Sequence, residues 1–63
     1  MTGEQLQGFV AGVLGHTSYR VEDNTVVLYT HKDARKLCLA LIKLADDFSV
    51  TFYDDEDTAI TIQ

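Results

Sequence analysis

Several things are scarce in this chain. It has no proline, one cysteine and five basic residues against ten acids. Without proline, a Gly/Ser linker or a low-complexity stretch, nothing marks a domain boundary, so residues 1–63 read as one domain. A single cysteine excludes an internal disulfide and fits a reducing compartment. The formal charge of −5 and pI near 4.6 oppose any affinity that rests on nucleic-acid phosphates, so DNA binding is expected to be weak. No apolar run is long enough to span a bilayer, and no basic segment leads into one. The expectation is a soluble, intracellular, cytoplasmic chain with no membrane partner.

Glycine is also scarce, but it is concentrated. Three of the four glycines, Gly8, Gly12 and Gly15, fall in residues 6–15, Leu-Gln-Gly-Phe-Val-Ala-Gly-Val-Leu-Gly. That stretch has helical periodicity, with Leu6, Phe9, Val10, Val13 and Leu14 as its apolar stripe. A glycine inside a helix costs up to about 1 kcal/mol relative to alanine. Gly8 and Gly12 lie four apart, as do Ala11 and Gly15, so small residues line one side. A helix surface without side chains lets another helix backbone approach closely, as small-xxx-small pairs do in membranes. At 63 residues a single core is marginal, and oligomerisation often helps. The spacing therefore predicts a homodimer through this helix, with Gly8, Phe9, Ala11, Gly12 and Gly15 at the interface.

The remaining elements follow from local signals. Thr2 and Gln5 make a capping box, with Glu4 suited to the helix N-terminus and Gly15 to its end. Residues 18–22 and 25–30 are rich in β-formers, and Asp23 and Asn24 between them tolerate a tight turn. A two-residue turn sets Val21 opposite Val26 and Tyr19 opposite Leu28, whereas a three-residue loop would send Val27 and Tyr29 inward. Thr30 can cap a second helix, with Asp33 near its start. Ala34, Leu37, Cys38, Leu41, Leu44 and Ala45 then form its apolar stripe, Ile42 widens it, and Leu39 lies outside it. Residues 48–53 and 58–63 form a second hairpin. Facing Phe52 with Ile60 and Val50 with Ile62 calls for a three-residue loop of Asp55, Glu56 and Asp57. The order is αββαββ, an α+β domain with two helices on one face of a four-stranded antiparallel sheet.

At this point a family comes into view. Residues 6–14, Leu-Gln-Gly-Phe-Val-Ala-Gly-Val-Leu, resemble the signature helix of the LAGLIDADG homing endonucleases, often written LAGFIDGDG. Residues 25–33, Thr-Val-Val-Leu-Tyr-Thr-His-Lys-Asp, and the helix that follows are similar to that family's second strand and second helix. The resemblance spans roughly residues 6 to 62, and it implies a homing endonuclease-like core whose signature helices pack together through small residues. It does not imply nuclease activity. The family's metal-binding acid falls on Val13 and its other common acid on Ala11, and neither supplies the oxygen ligands that a hard divalent cation needs. The family's additional helices and long basic DNA-contacting hairpins have no counterpart here. The expectation is a non-enzyme without metal or cofactor.

Other candidate chemistry is sparse. Asp54, Asp55, Glu56 and Asp57 form an acidic hairpin tip without the spacing or glycine of a calcium loop. Asp46 and Asp47 end the second helix, where its dipole disfavours acids but a turn favours them. His16 and His31 sit at helix boundaries with no cysteine or histidine at ligand spacing. Cys38 lies on an apolar stripe with no positioned base, which reads as packing. The outer sheet face carries Ser18, Arg20, Val27, Tyr29, Ser49, Thr51, Tyr53, Thr61 and Gln63, with one positive charge. Lys32, Arg35 and Lys36 cluster at the start of the second helix. Two functions follow. One is a non-catalytic, homing endonuclease-like dimeric binding or regulatory module, with Arg20, Tyr29, Tyr53 and the acidic tip as its candidate partner surface. The other is an acidic inhibitor or nucleic-acid mimic that docks on a basic protein through Glu22, Asp23 and the tip.

Overall fold

The structure is a computed structural model that describes residues 2–15, 17–44 and 47–63. It runs α1 (Gly3–Leu14), β1 (Tyr19–Glu22), β2 (Thr25–Leu28), α2 (His31–Leu44), β3 (Phe48–Phe52) and β4 (Thr58–Ile62). The four strands form one antiparallel sheet in the order β1-β2-β4-β3, so the domain is α+β.

Local chemistry sets the helix ends. Thr2 and Gln5 close the capping box in both directions: Gln5 N–H donates to Thr2 Oγ1 at 3.2 Å, and Thr2 N–H donates to Gln5 Oε1 at 2.9 Å. Gly15 ends α1 with φ of 67°, a conformation open to glycine, while its N–H donates to the Ala11 carbonyl at 2.9 Å. Thr30 caps α2, its Oγ1 accepting from Asp33 N–H at 3.2 Å.

The first hairpin takes the two-residue turn. Glu22 faces Thr25, Val21 faces Val26 and Tyr19 faces Leu28. Of the two turn residues only Asp23 has positive φ, at 53°. The turn is tied across the sheet by Asn24, whose carbonyl accepts from Ile62 N–H at 2.8 Å and whose side-chain Nδ2 donates to the Ile62 carbonyl at 2.7 Å.

The second hairpin differs from the register expected of it. Phe52 faces Thr58 rather than Ile60, and Val50 faces Ile60 rather than Ile62, which leaves Phe48 opposite Ile62. The connection is therefore residues 53–57 rather than three residues, closed by Tyr53 N–H donating to the Asp57 carbonyl at 3.1 Å. A two-residue slip keeps every side chain on its own face, so the alternation of Phe48, Val50 and Phe52 is satisfied by either pairing.

Three rows of side chains face the helices: Tyr19, Leu28, Thr58 and Phe52 in one, Val21, Val26, Ile60 and Val50 in the next, and Ile62 with Phe48 in the last. Leu6, Val10 and Leu14 of α1 and Ala34, Leu37 and Leu41 of α2 close over Val26, Leu28, Ile60 and Ile62 to make the core. Burial of a leucine of this kind stabilises by roughly 1.5–3 kcal/mol. The two helices also pack against each other. Leu44 departs from its expected place, being 49% exposed at the last residue of α2, whereas Leu37 and Leu41 are fully buried. Ala45, expected on the same stripe, lies outside the described residues. No helix among the described residues is long and apolar enough to cross a membrane.

One polar side chain is out of keeping with this core. Thr58 is fully buried, and among the described residues its Oγ1 has no hydrogen-bond partner. An unpaired buried hydroxyl carries a desolvation cost that an isosteric apolar group does not. Thr58→Val should therefore raise stability by about 1 kcal/mol in urea unfolding. A loss of stability would show that the hydroxyl is satisfied in solution.

Candidate functional site

The glycine stripe is where the sequence places it, and among the described residues its glycines meet no other element. Leu6, Val10 and Leu14 point α1 into the core, which leaves Gly8, Ala11, Gly12 and Gly15 exposed on the opposite side. Among the described residues, a Cβ built on Gly8, Gly12 or Gly15 has no heavy atom within 4 Å beyond its chain neighbours and the nearby backbone of α1. No close approach within the described chain requires these glycines, so the fold itself does not account for the cost of Gly8 and Gly12 in the middle of a helix. Phe9 stands apart from the other four residues expected at an interface: it is half-buried and packs against the core, at the margin of the glycine face.

Val13 and Ala11, which the sequence resemblance sets where the homing endonucleases carry acids, sit on different sides of α1. Val13 is half-buried against the core and Ala11 is exposed. Among the described residues no group of three His, Cys, Asp or Glu side chains could hold a metal ion.

The candidate partner surface is divided. Arg20 pairs with Glu22 on the same face of β1, Nε to Oε1 at 3.2 Å, with both side chains exposed. Tyr29 and Tyr53 are exposed just beyond the ends of β2 and β3, at the end of the sheet that also carries the acidic tip. Asp54, Asp55 and Glu56 are exposed there, and Asp57 is half-buried. Asp23 lies at the opposite end, where Asn24 meets Ile62. Five residues of strand separate the ends by about 17 Å. Glu22 and Asp23 thus do not merge with the tip into one acidic patch. Asp47 is exposed, three residues beyond the end of α2, and His16 and Asp46 lie outside the described residues.

A second surface was not visible in the sequence. An open groove of about 260 Å³ runs between α2 and β3, lined by His31, Ala34, Arg35, Cys38, Val50 and Phe52. Its walls come from residues far apart in the chain, and only the sheet brings them together. The His31 ring meets Phe52 edge-on, centroids 6.2 Å apart, which sets the start of α2 beside the end of β3. Phe52 is 69% exposed, Ile42 62% and Leu39 55%, so apolar surface continues from the groove along α2. The Lys32, Arg35 and Lys36 cluster borders the same stretch of helix, with all three exposed.

Cys38 is the one thiol in the groove. Burial pushes its thiol pKa up by desolvating the thiolate. A raised pKa lowers the thiolate fraction at every pH below it, which is the reverse of what a catalytic cysteine needs. Cys38 should alkylate with iodoacetamide several-fold more slowly than free cysteine at neutral pH, the rate rising as pH increases. Faster reaction than free cysteine would reopen a catalytic role.

Comparison with protein-family models, curated proteins and solved structures finds no match for this chain.

Proposed function

We propose that the chain is a non-catalytic binding module that works as a homodimer, homing endonuclease-like in its design, with α1 of each copy packed on its counterpart. The observation that carries this reading is the solvent-facing stripe of Gly8, Ala11, Gly12 and Gly15, whose glycines meet no other element among the described residues. Covering the stripe with a second α1 returns dispersion and apolar burial that offset the helix propensity given up at Gly8 and Gly12. A two-fold axis beside these residues brings the same face of each helix together, the self-complementary geometry of a C₂ interface. The resemblance of residues 6–14 to a signature helix that pairs through small residues supports the same contact.

The absence of catalysis rests on Val13 and Ala11. The resembled enzymes place carboxylates at these positions, and an aliphatic side chain can neither ligate a hard cation nor activate water. Purified protein with magnesium or manganese should leave plasmid DNA intact. Cleavage that a point mutation in this chain abolishes would overturn the reading.

Light scattering tests the dimer. Because a Cβ at position 12 meets nothing among the described residues outside α1's own backbone, Gly12→Leu should keep the monomer folded and raise its helix stability by up to about 1 kcal/mol. It should nevertheless separate the two α1 helices and yield monomer. Asp55→Asn in the acidic tip should leave assembly unchanged. A wild-type monomer at high micromolar concentration, or a Gly12→Leu protein that stays dimeric, would show the interface to be wrong.

A further inference from the structure

The two edges of the sheet are built differently. β1 carries Arg20 and Glu22, a charged pair of the kind that keeps an edge strand from pairing with other chains. β3, the other edge, is Phe-Ser-Val-Thr-Phe followed by Tyr53, six residues with no charge, proline or glycine. Its outward backbone groups are a template for another strand, and such an uncharged β-forming segment is a hazard unless something covers it. The groove between β3 and α2 runs alongside, so a strand added there would have its helix-side residues received by Ala34, Cys38, Val50 and Phe52.

The charges around this edge are ordered. Arg35, one helical turn along from His31, is the one permanently charged side chain in the groove lining. Both ends of β3 are acidic, with Asp47 just before Phe48 and Asp54 and Asp55 just after Tyr53. We propose that β3 accepts an extended segment of a partner protein as a fifth strand. The segment places a carboxylate at its centre over Arg35, an apolar side chain two residues away in the groove, and neutral or basic residues at its ends. Main-chain hydrogen bonds would supply affinity and the alternate side chains specificity, as in other cases of strand addition. A second copy of β3 is a poor occupant. Antiparallel pairing about Val50 would bring Asp47 of one copy close to Asp54 of the other, and like charges facing across strands are destabilising. The site is separate from the glycine face of α1, so neither inference depends on the other.

The test uses a fluorescein-labelled nine-residue peptide: lysine at both ends, glutamate at the centre, valine two residues to either side of it and threonine between. With the full chain, the expected result is a saturable rise in anisotropy. Amide shift changes should concentrate in β3 and in α2 between His31 and Cys38. Arg35→Glu should weaken binding by roughly tenfold or more, and a peptide with lysine in place of the central glutamate should restore it. Phe52→Ser, at an exposed position, should weaken binding without unfolding the protein. The proposal is overturned by absence of saturation up to about 1 mM peptide, by affinity indifferent to both substitutions, or by shifts confined to β1 or α1. It is also overturned if Phe52→Ser dissociates a wild-type dimer, since β3 would then be occupied by a second copy.

Discussion

Two short helices must keep one face of a four-stranded sheet dry, and everything else in this molecule follows from how they do it. The row Val21, Val26, Ile60 and Val50 lies at the middle of that face, with Leu6 and Val10 of α1 and Leu37 and Leu41 of α2 among the side chains that close over it. A chain this small buries a modest share of its surface, so the core leaves little stability in reserve. Each helix has one side committed to the sheet, and what its other side carries is free of packing demands from within the chain. That freedom makes the outer faces informative.

The outer faces of the two helices are unlike each other. α1 presents Gly8, Ala11, Gly12 and Gly15, a stripe of small residues beside the exposed Glu4, Gln5 and Gln7. α2 presents Leu39 and Ile42 among Lys32, Arg35 and Lys36, an apolar stripe crossed by cations in a protein that is acidic elsewhere. Solubility favours neither arrangement: alanine or a charged residue would serve α1 better in water, and polar residues would serve α2 better. Edge asymmetry adds to this contrast, since charged β1 is guarded where uncharged β3 is open. The molecule is most finished where it touches only itself, and least finished on the far side of α1 and along the β3 edge.

Much of the framework was legible because it is local. The Thr2 and Gln5 capping box, Thr30 as a cap, Gly15 as a helix end and a tight turn near Asp23 and Asn24 all act over three or four residues, where side-chain chemistry and chain sterics decide, although only the structure chose the two-residue turn over a three-residue loop. The alternation of strand residues was legible for the same reason, although the register of the second hairpin was not. A slip of two residues costs nothing in face assignment, so Phe48, Val50 and Phe52 suit Ile60 and Ile62 in either pairing. Exposure of Leu44 was hidden too, because helical periodicity says which residues share a face but not where the sheet beneath them ends.

The sequence by itself determined the number and order of the elements, their caps, and the small-residue face of α1, since each depends on residues that are neighbours along the chain. Tertiary structure alone decided the strand order β1-β2-β4-β3, and with it which strands became edges. It also decided that, among the described residues, the glycine face meets no other element and Thr58 is sealed without a partner, and that His31, Arg35 and Cys38 line one groove with Val50 and Phe52. The physical reason is the same in each case. These are contacts, or missing contacts, between residues far apart in sequence, and their geometry is set only when the two helices and the sheet compete for one shared buried face.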